Sequence, residues 1–158
     1  MRAPRGRDEI YALYGDPRKY VREDGTVSPI WEARMVSVKL PIPLPLGWNR
    51  NQFATRVRVN QAIAEEVDAL FLDWEHEGCW PLLETYDGGY TFRMARGSSR
   101  LSMHALGGAL DFDAWRNKLG TRPKMNPRVV RVAAARGWTW GGKWRRPDGM
   151  HFQFGRGY

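Results

Sequence analysis

Cysteine and histidine are scarce in this chain, which has one cysteine and three histidines in 158 residues. A single cysteine, Cys79, excludes an intrachain disulfide, and its apolar neighbours favour a buried thiol over a catalytic one. No apolar run reaches the ~18 residues that a membrane span requires, so we expect no stable association with a membrane. The N-terminus is basic but lacks the apolar core of a secretory signal, which predicts a protein that is not exported by the general route.

Acidic residues are almost missing from the last third of the chain. Residues 115–158 contain eleven Lys and Arg against one acid, Asp148, and the whole chain has a net charge of +8. Such a surface attracts nucleic acid, anionic lipid or the anionic polymers of a bacterial envelope, and charge alone does not choose among them. No nucleic-acid-binding motif accompanies the charge, so we expect no nucleic acid partner.

Hydrophobic content of 42% and aromatic content of 13% exclude a disordered chain, and the length suits one domain over residues 1–158. We predict an α+β fold in which an antiparallel sheet packs its apolar face against helices. Residues 1–50 are predicted to form an irregular arm around this core, because the prolines of residues 41–47 lack the N–H groups that strand pairing uses. We expect a monomer.

Hydrophobic spacing and turn residues predict the main elements. Two helices are expected, from Thr55 to about Glu77 and from Asn126 to Gly137. Three strands are expected, Tyr90 to Met94, Ala109 to Asp113 and Met150 to Phe154, and residues 31–40 contain further short strand candidates.

The last two strands alternate between apolar and polar side chains. Leu110 and Phe112 point to one face of the predicted sheet and Asp111 to the other, while His151 lies on the face opposite Phe152. If the strands share a sheet, its polar face presents Asp111 and His151 together, which suits ligand binding rather than packing.

His104, Asp111 and His151 make a candidate metal site. Two imidazoles and a carboxylate are a usual ligand set for catalytic zinc, because three protein ligands leave a position for water. Asp148, three residues before His151, is the candidate carboxylate for proton transfer. The spacing alone also allows plainer interpretations: a hydrogen-bonded histidine in a loop, and a turn at Asp148-Gly149.

Longer motifs surround these four residues. They are Gly89-Tyr-Thr-Phe-Arg93, Ser102-Met-His-Ala-Leu-Gly-Gly-Ala-Leu-Asp111, Gly137-Trp-Thr-Trp-Gly-Gly142 and Asp148-Gly-Met-His-Phe152. Together, over residues 86–154, they resemble the M15 metallopeptidases, a group that includes D-Ala-D-Ala carboxypeptidases and phage L-alanyl-D-glutamate endopeptidases.

The resemblance implies zinc held by His104, Asp111 and His151, with Asp148 as general base and acid. It also implies that Arg93 stabilises the oxyanion, although Arg96 and Arg100 are close in sequence. Ser102 is expected to orient His104 or the substrate. Trp140 and Trp144 are candidates to wall the cleft, and Trp140 is our predicted substrate contact.

The predicted function is an endolysin-like zinc peptidase that cleaves the stem peptide of bacterial peptidoglycan at the L-Ala–D-Glu bond. The lack of a signal predicts that it waits in the cytoplasm of an infected host before release to the periplasm and cell wall. Two alternatives remain open at this stage: a D-Ala-D-Ala carboxypeptidase, and a non-catalytic cell-wall-binding module on the same fold.

Overall fold

The computed structural model describes residues 1–93 and 100–158. Within these ranges the chain forms a single α+β domain. Its helices are α1 (Gly6–Tyr14), α2 (Pro29–Glu32), α3 (Ala64–His76) and α4 (Pro127–Ala135). Its strands are β1 (Met35–Leu46), β2 (Asn49–Asn60), β3 (Tyr86–Gly88), β4 (Ala109–Phe112), β5 (Thr139–Trp140) and β6 (His151–Gln153). No helix in the described part of the chain has the length and apolarity needed to cross a membrane.

All six strands belong to one sheet, in the order β2-β1-β3-β4-β6-β5. The sheet is mixed rather than purely antiparallel, because β1 and β3 pair in parallel through Leu46 and Tyr86. The other pairings are antiparallel, including the one between β4 and β6 that was expected to carry the polar face.

Helices α3 and α4 pack on the apolar face of this sheet. The Trp74 ring of α3 lies 5.4 Å from the Phe112 ring of β4 and 5.7 Å from the Phe152 ring of β6, measured between centroids. Its indole N–H donates to the carbonyl of Val129 in α4 at 3.2 Å. Trp74 therefore joins both helices to the strands that present Asp111 and His151.

The predicted irregular arm over residues 1–50 is wrong, because this region holds α1, α2 and most of the β1–β2 hairpin, whereas the strand candidate at residues 31–40 matches the start of β1 at Met35. Strand β1 continues through the prolines, but the register skips from Lys39, paired with Arg56, to Leu44, paired with Ala54. The prolines at 41 and 43 fall within this skip, where no ladder N–H is needed.

Two other elements differ from expectation. Helix α3 begins at Ala64 rather than near Thr55, because residues 55–60 complete β2 and pair with β1. The strand predicted from Tyr90 to Met94 is not found among the described residues, and Met94 itself lies outside them. The strand of this region, β3, comes earlier in the chain, at Tyr86–Gly88. The helix predicted at Asn126 is confirmed, and the Asn126 side chain accepts the N–H of Arg128 as its cap.

Candidate metal centre

Two neighbouring strands bring an acid and an imidazole into contact. Asp111 of β4 and His151 of β6 are direct partners across the antiparallel register. Asp111 Oδ1 lies 3.1 Å from His151 Nδ1, and both side chains are buried on the face away from Trp74. The structure thus places both residues where the strand alternation predicts.

His104 completes the cluster from a 3-10 turn, Met103–Leu106, that directly precedes β4. Its Nε2 atom lies 3.2 Å from Asp111 Oδ2 and 3.1 Å from His151 Nδ1. One ligand atom from each of the three residues falls within 4.8 Å of the others, a spacing that suits a shared metal ion. Three residues separated by up to 47 positions therefore converge on one point.

The first sixty residues support the turn that carries His104. The indole N–H of Trp31 in α2 donates to the Ala105 carbonyl at 3.1 Å. The side chain of Asn60, at the end of β2, donates to the Leu106 carbonyl at 3.1 Å, and its backbone N–H donates to the Gly107 carbonyl at 2.9 Å. The N-terminal region is thus a structural part of the site.

The Gly89 carbonyl determines which nitrogen of His104 faces the cluster. His104 Nδ1 lies 2.7 Å from this oxygen, and since a carbonyl only accepts, the proton is on Nδ1 and the lone pair on Nε2. A Cβ at position 89 would come within 2.6 Å of the Arg58 carbonyl, so only glycine fits here. The N–H of Tyr90 donates to the same Arg58 carbonyl at 2.8 Å and holds the segment in place.

Gln153 performs the equivalent function for His151. The Gln153 amide N–H donates to the Gly155 carbonyl at 3.0 Å, so its Oε1 atom faces His151 Nε2, also at 3.0 Å. That oxygen accepts, which places the His151 proton on Nε2 and the lone pair on Nδ1, toward Asp111. Each histidine is therefore hydrogen-bonded through the nitrogen that faces away from the cluster, and its other nitrogen directs a lone pair at the carboxylate.

This arrangement gathers two nitrogen lone pairs and a carboxylate around one point, and such a set needs a cation at its centre. The same set favours a proton when no metal is bound: burial lowers the pKa of His151, but the hydrogen bond and the charge of Asp111, together with Asp148 and Gln153, outweigh burial and raise that pKa. Burial raises the pKa of Asp111, but the charges and hydrogen bonds of His104 and His151 outweigh it and hold that pKa well below its ordinary value. The donor set fits a divalent metal of the kind that imidazole and carboxylate ligands share.

Two cavities meet at the cluster. The first, of about 390 Å³, is bordered by all three cluster residues together with Asp148, Ser102 and Trp144. The second, of about 670 Å³, is bordered by His104 and Asp111 and extends toward Trp48 and Trp115. The arginine side chains of Arg93 and Arg146 border both cavities.

The other predicted site residues divide into three groups. Asp148 and Arg93 border the site, whereas Arg96 lies outside the described residues. Ser102 caps the His104 turn, because its Oγ accepts the N–H of Ala105 at 3.3 Å. Trp140 does not face the site: it packs against the core and its indole donates to the Gly149 carbonyl at 2.8 Å, while Trp144 borders the first cavity.

Sequence reasoning missed the role of the groups that hydrogen-bond to the metal-distal nitrogens of the two histidines. Gln153 shares a strand face with His151 at the i+2 position, and that signal was available from the alternation. The Gly89 carbonyl gave no sequence signal, since a backbone acceptor is defined only by the tertiary path of the chain.

The cluster, its supporting hydrogen bonds and the adjoining cavities define a candidate metallohydrolase site. Residues 96–154 match the M15 peptidase family model that is described as D-alanyl-D-alanine carboxypeptidase. The matched segment contains His104, Asp111, Asp148 and His151, so this part of the chain is similar to the M15 peptidases, and the α+β fold is compatible with that similarity. No curated protein and no solved structure matches the chain.

Proposed function

We propose that this chain is a zinc-dependent peptidoglycan peptidase that cleaves the L-Ala–D-Glu bond of the stem peptide. The observation that carries the proposal is the convergence of His104, Asp111 and His151 beside a cavity that also contains Asp148. An M15 family match over the same residues supports a peptidase. Zinc is the metal that two imidazoles and one carboxylate hold most commonly in hydrolases, with a position left for water.

A zinc ion held by these three residues would polarise the scissile carbonyl and lower the pKa of a water molecule to about 7. Asp148 then accepts the proton of the attacking water and returns it to the leaving amine, as a general base and acid. Its position three residues before His151, at the border of the first cavity, suits this exchange. Gly89 and Gln153 keep the two imidazoles in their required tautomers.

Arg93 is the proposed stabiliser of the oxyanion. Its side chain borders both cavities, so a scissile carbonyl bound between them lies within its reach. A guanidinium group directed at developing negative charge in a desolvated site lowers the barrier of acyl transfer. The Arg93 carbonyl accepts the N–H of Ser102 at 3.0 Å, which ties this segment to the His104 turn.

Open space on both sides of the cluster favours an endopeptidase. A carboxypeptidase that releases a single terminal D-alanine needs room for a long chain on one side only, whereas an internal cut needs it on both. Several arginines around the first cavity, among them Arg100, Arg145 and Arg146, suit a substrate with free carboxylates. Such an enzyme would reach the cell wall after release from the host cytoplasm.

The alternative is a D-Ala-D-Ala carboxypeptidase, which the description of the matching family favours. Incubation of zinc-loaded protein with outer-membrane-stripped cell walls, followed by mass spectrometry of the soluble products, separates the candidates. Free N-terminal D-Glu on released peptides is expected. Release of D-alanine without an internal cut would establish the carboxypeptidase, and intact walls with bound zinc would establish a wall-binding module.

A further inference from the structure

The second cavity has an exposed aromatic border that the reaction itself does not use. Trp48 lies at the tip of the β1–β2 hairpin, is 66% exposed and borders the cavity that also contains His104 and Asp111. A ligand that covers a large exposed apolar ring removes that surface from water, which contributes favourably to the free energy of binding.

The hairpin tip is held in place against the site. The Gly47 N–H donates to the Tyr86 carbonyl of β3 at 3.1 Å. The Asp87 carboxylate occupies the space where a Cβ of residue 47 would lie, so the turn packs directly on the strand next to β4. Trp48 is therefore presented by a fixed turn rather than by a long loop.

Trp115, 47% exposed, borders the same cavity but already has partners for its ring. The guanidinium carbons of Arg50 and Arg116 lie 5.3 Å and 5.6 Å from its ring centroid, within the range of cation–π contacts. Of these two aromatic side chains, Trp48 is the one better placed to receive a ligand.

The position of Asp148 gives the bound substrate a direction. Within the described part of the chain, Asp148 borders the first cavity and not the second. The residue that protonates the leaving amine must be close to that nitrogen, so the amine half of the substrate occupies the first cavity. The acyl half then extends into the second cavity, toward Trp48.

We infer that the second cavity is a subsite for the N-acetylmuramyl sugar, whose ring stacks on Trp48. This inference rests on the proposed function, because cleavage between L-Ala and D-Glu makes the sugar-bearing lactyl-L-Ala the acyl half. The amine half begins with D-Glu and carries the free carboxylates, which matches Arg100 and Arg145, the two arginines among the described residues that border the first cavity and not the second. The volume of about 670 Å³ lies within the usual range for small-molecule sites, roughly 300–1,000 Å³.

The test compares two substrates, N-acetylmuramyl-L-Ala-D-Glu-diaminopimelate and the same tripeptide without the sugar. Zinc-loaded wild type is expected to cleave the muramyl substrate with a higher kcat/KM, and Trp48→Ala to reduce this preference about tenfold. Phe53→Ala is the matched control, because Phe53 is an exposed aromatic residue of β2 (58%) outside the residues that border the cavity. An equal rate on both substrates in wild type would overturn the subsite while leaving the peptidase intact.

Binding separates the subsite from the proposed chemistry. Titration of 15N-labelled zinc-loaded protein with N-acetylmuramyl-L-alanine is expected to shift the Trp48 indole resonance, which Trp48→Ala identifies, whereas L-alanine alone is not. If neither substrate is cleaved and the indole still shifts with the muramyl ligand, the sugar subsite stands and the proposed function fails. An unchanged indole resonance at saturating ligand would overturn the subsite.

Discussion

His151 Nε2 and Gln153 Oε1 lie 3.0 Å apart on the same face of β6, and this contact determines which nitrogen of His151 is available to a metal. The Gly155 carbonyl fixes the Gln153 amide, the amide fixes the imidazole tautomer, and the tautomer directs Nδ1 toward Asp111. A chain of two hydrogen bonds thus extends from the backbone to the ligand atom.

Replacing Gln153 should therefore weaken metal binding without removing a ligand. Gln153→Leu is expected to lower zinc affinity about tenfold to a hundredfold, because the His151 ring loses its anchor. Gln153→Glu should retain more affinity than Gln153→Leu, since its carboxylate still accepts from Nε2 although it cannot donate to the Gly155 carbonyl. Competition with a chromophoric chelator measures both. Gln52→Leu, on exposed β2, is the control, and equal affinity in Gln153→Leu and wild type would contradict this interpretation.

Metal binding and proton transfer should separate by mutation. His151→Ala is expected to lose stoichiometric zinc and activity together, because it removes a ligand from the cluster. Asp148→Asn should keep zinc and lose about 10²–10⁴-fold in kcat, the usual contribution of general acid–base catalysis. Metal analysis of dialysed protein beside wall-digestion assays measures both, and an active Asp148→Asn variant would exclude Asp148 as the proton carrier.

The metal-free protein should show a pH window of stability. The folded-state pKa of Asp111 is lowered, so its stabilisation is present above about 3.9 and is lost as the pH falls through that lowered pKa. The folded-state pKa of His151 is raised, so its stabilisation is present below about 6.5 and is lost as the pH rises through the raised pKa. Both contributions overlap between about pH 4 and 6.5.

Thermal melts of chelator-treated protein at pH 4 to 9 test this window, and Asp111→Asn should flatten the profile. Since zinc must displace the His151 proton, zinc affinity should rise with pH until that proton is lost. A pH-independent affinity across this range would show that no proton competes at the cluster.

Gly89→Ala should damage both stability and the metal centre. The new Cβ would approach the Arg58 carbonyl and the Tyr86 hydroxyl at 2.6 Å and 2.7 Å, so the backbone must shift. Overpacking of this kind costs about 1–3 kcal/mol of unfolding free energy, and the shift moves the carbonyl that holds His104. Denaturant melts and zinc affinity measure the two effects. Thr91→Ala, an exposed change two residues away, should leave the free energy of unfolding near the wild-type value.

The polar face of β4 and β6 was predictable because alternation in two short strands is a local property. Leu110, Phe112 and Phe152 had to face the core, so Asp111 and His151 had to share the other face. Helix α4 was predictable for the same reason, since Asn126 and Pro127 form a local start signal.

The predictions that were wrong concern segments whose structure depends on strands distant in the sequence. Val59 continues a helical spacing with Ile63, but it also alternates with Val57, so the local pattern allows either a helix or a strand. The segment forms a strand because Val57 pairs with Val38 and Val59 pairs with Val36 of β1. Pro41 and Pro43 of β1 were compatible with a strand because the register skips past them, and Pro45 stays in register opposite Phe53. Neither outcome is visible without the partner strand.

Among the residues that the structure describes, strand β2 is the first in the strand order and has an unpaired edge, and it exposes Arg50, Arg56 and Arg58 along its length. An unpaired edge is a template for addition of a strand from another molecule, and edge-to-edge docking of two copies would bring these guanidinium groups against one another. Like charges disfavour that approach, so we expect the arginines of the hairpin that presents Trp48 to oppose strand addition at this edge.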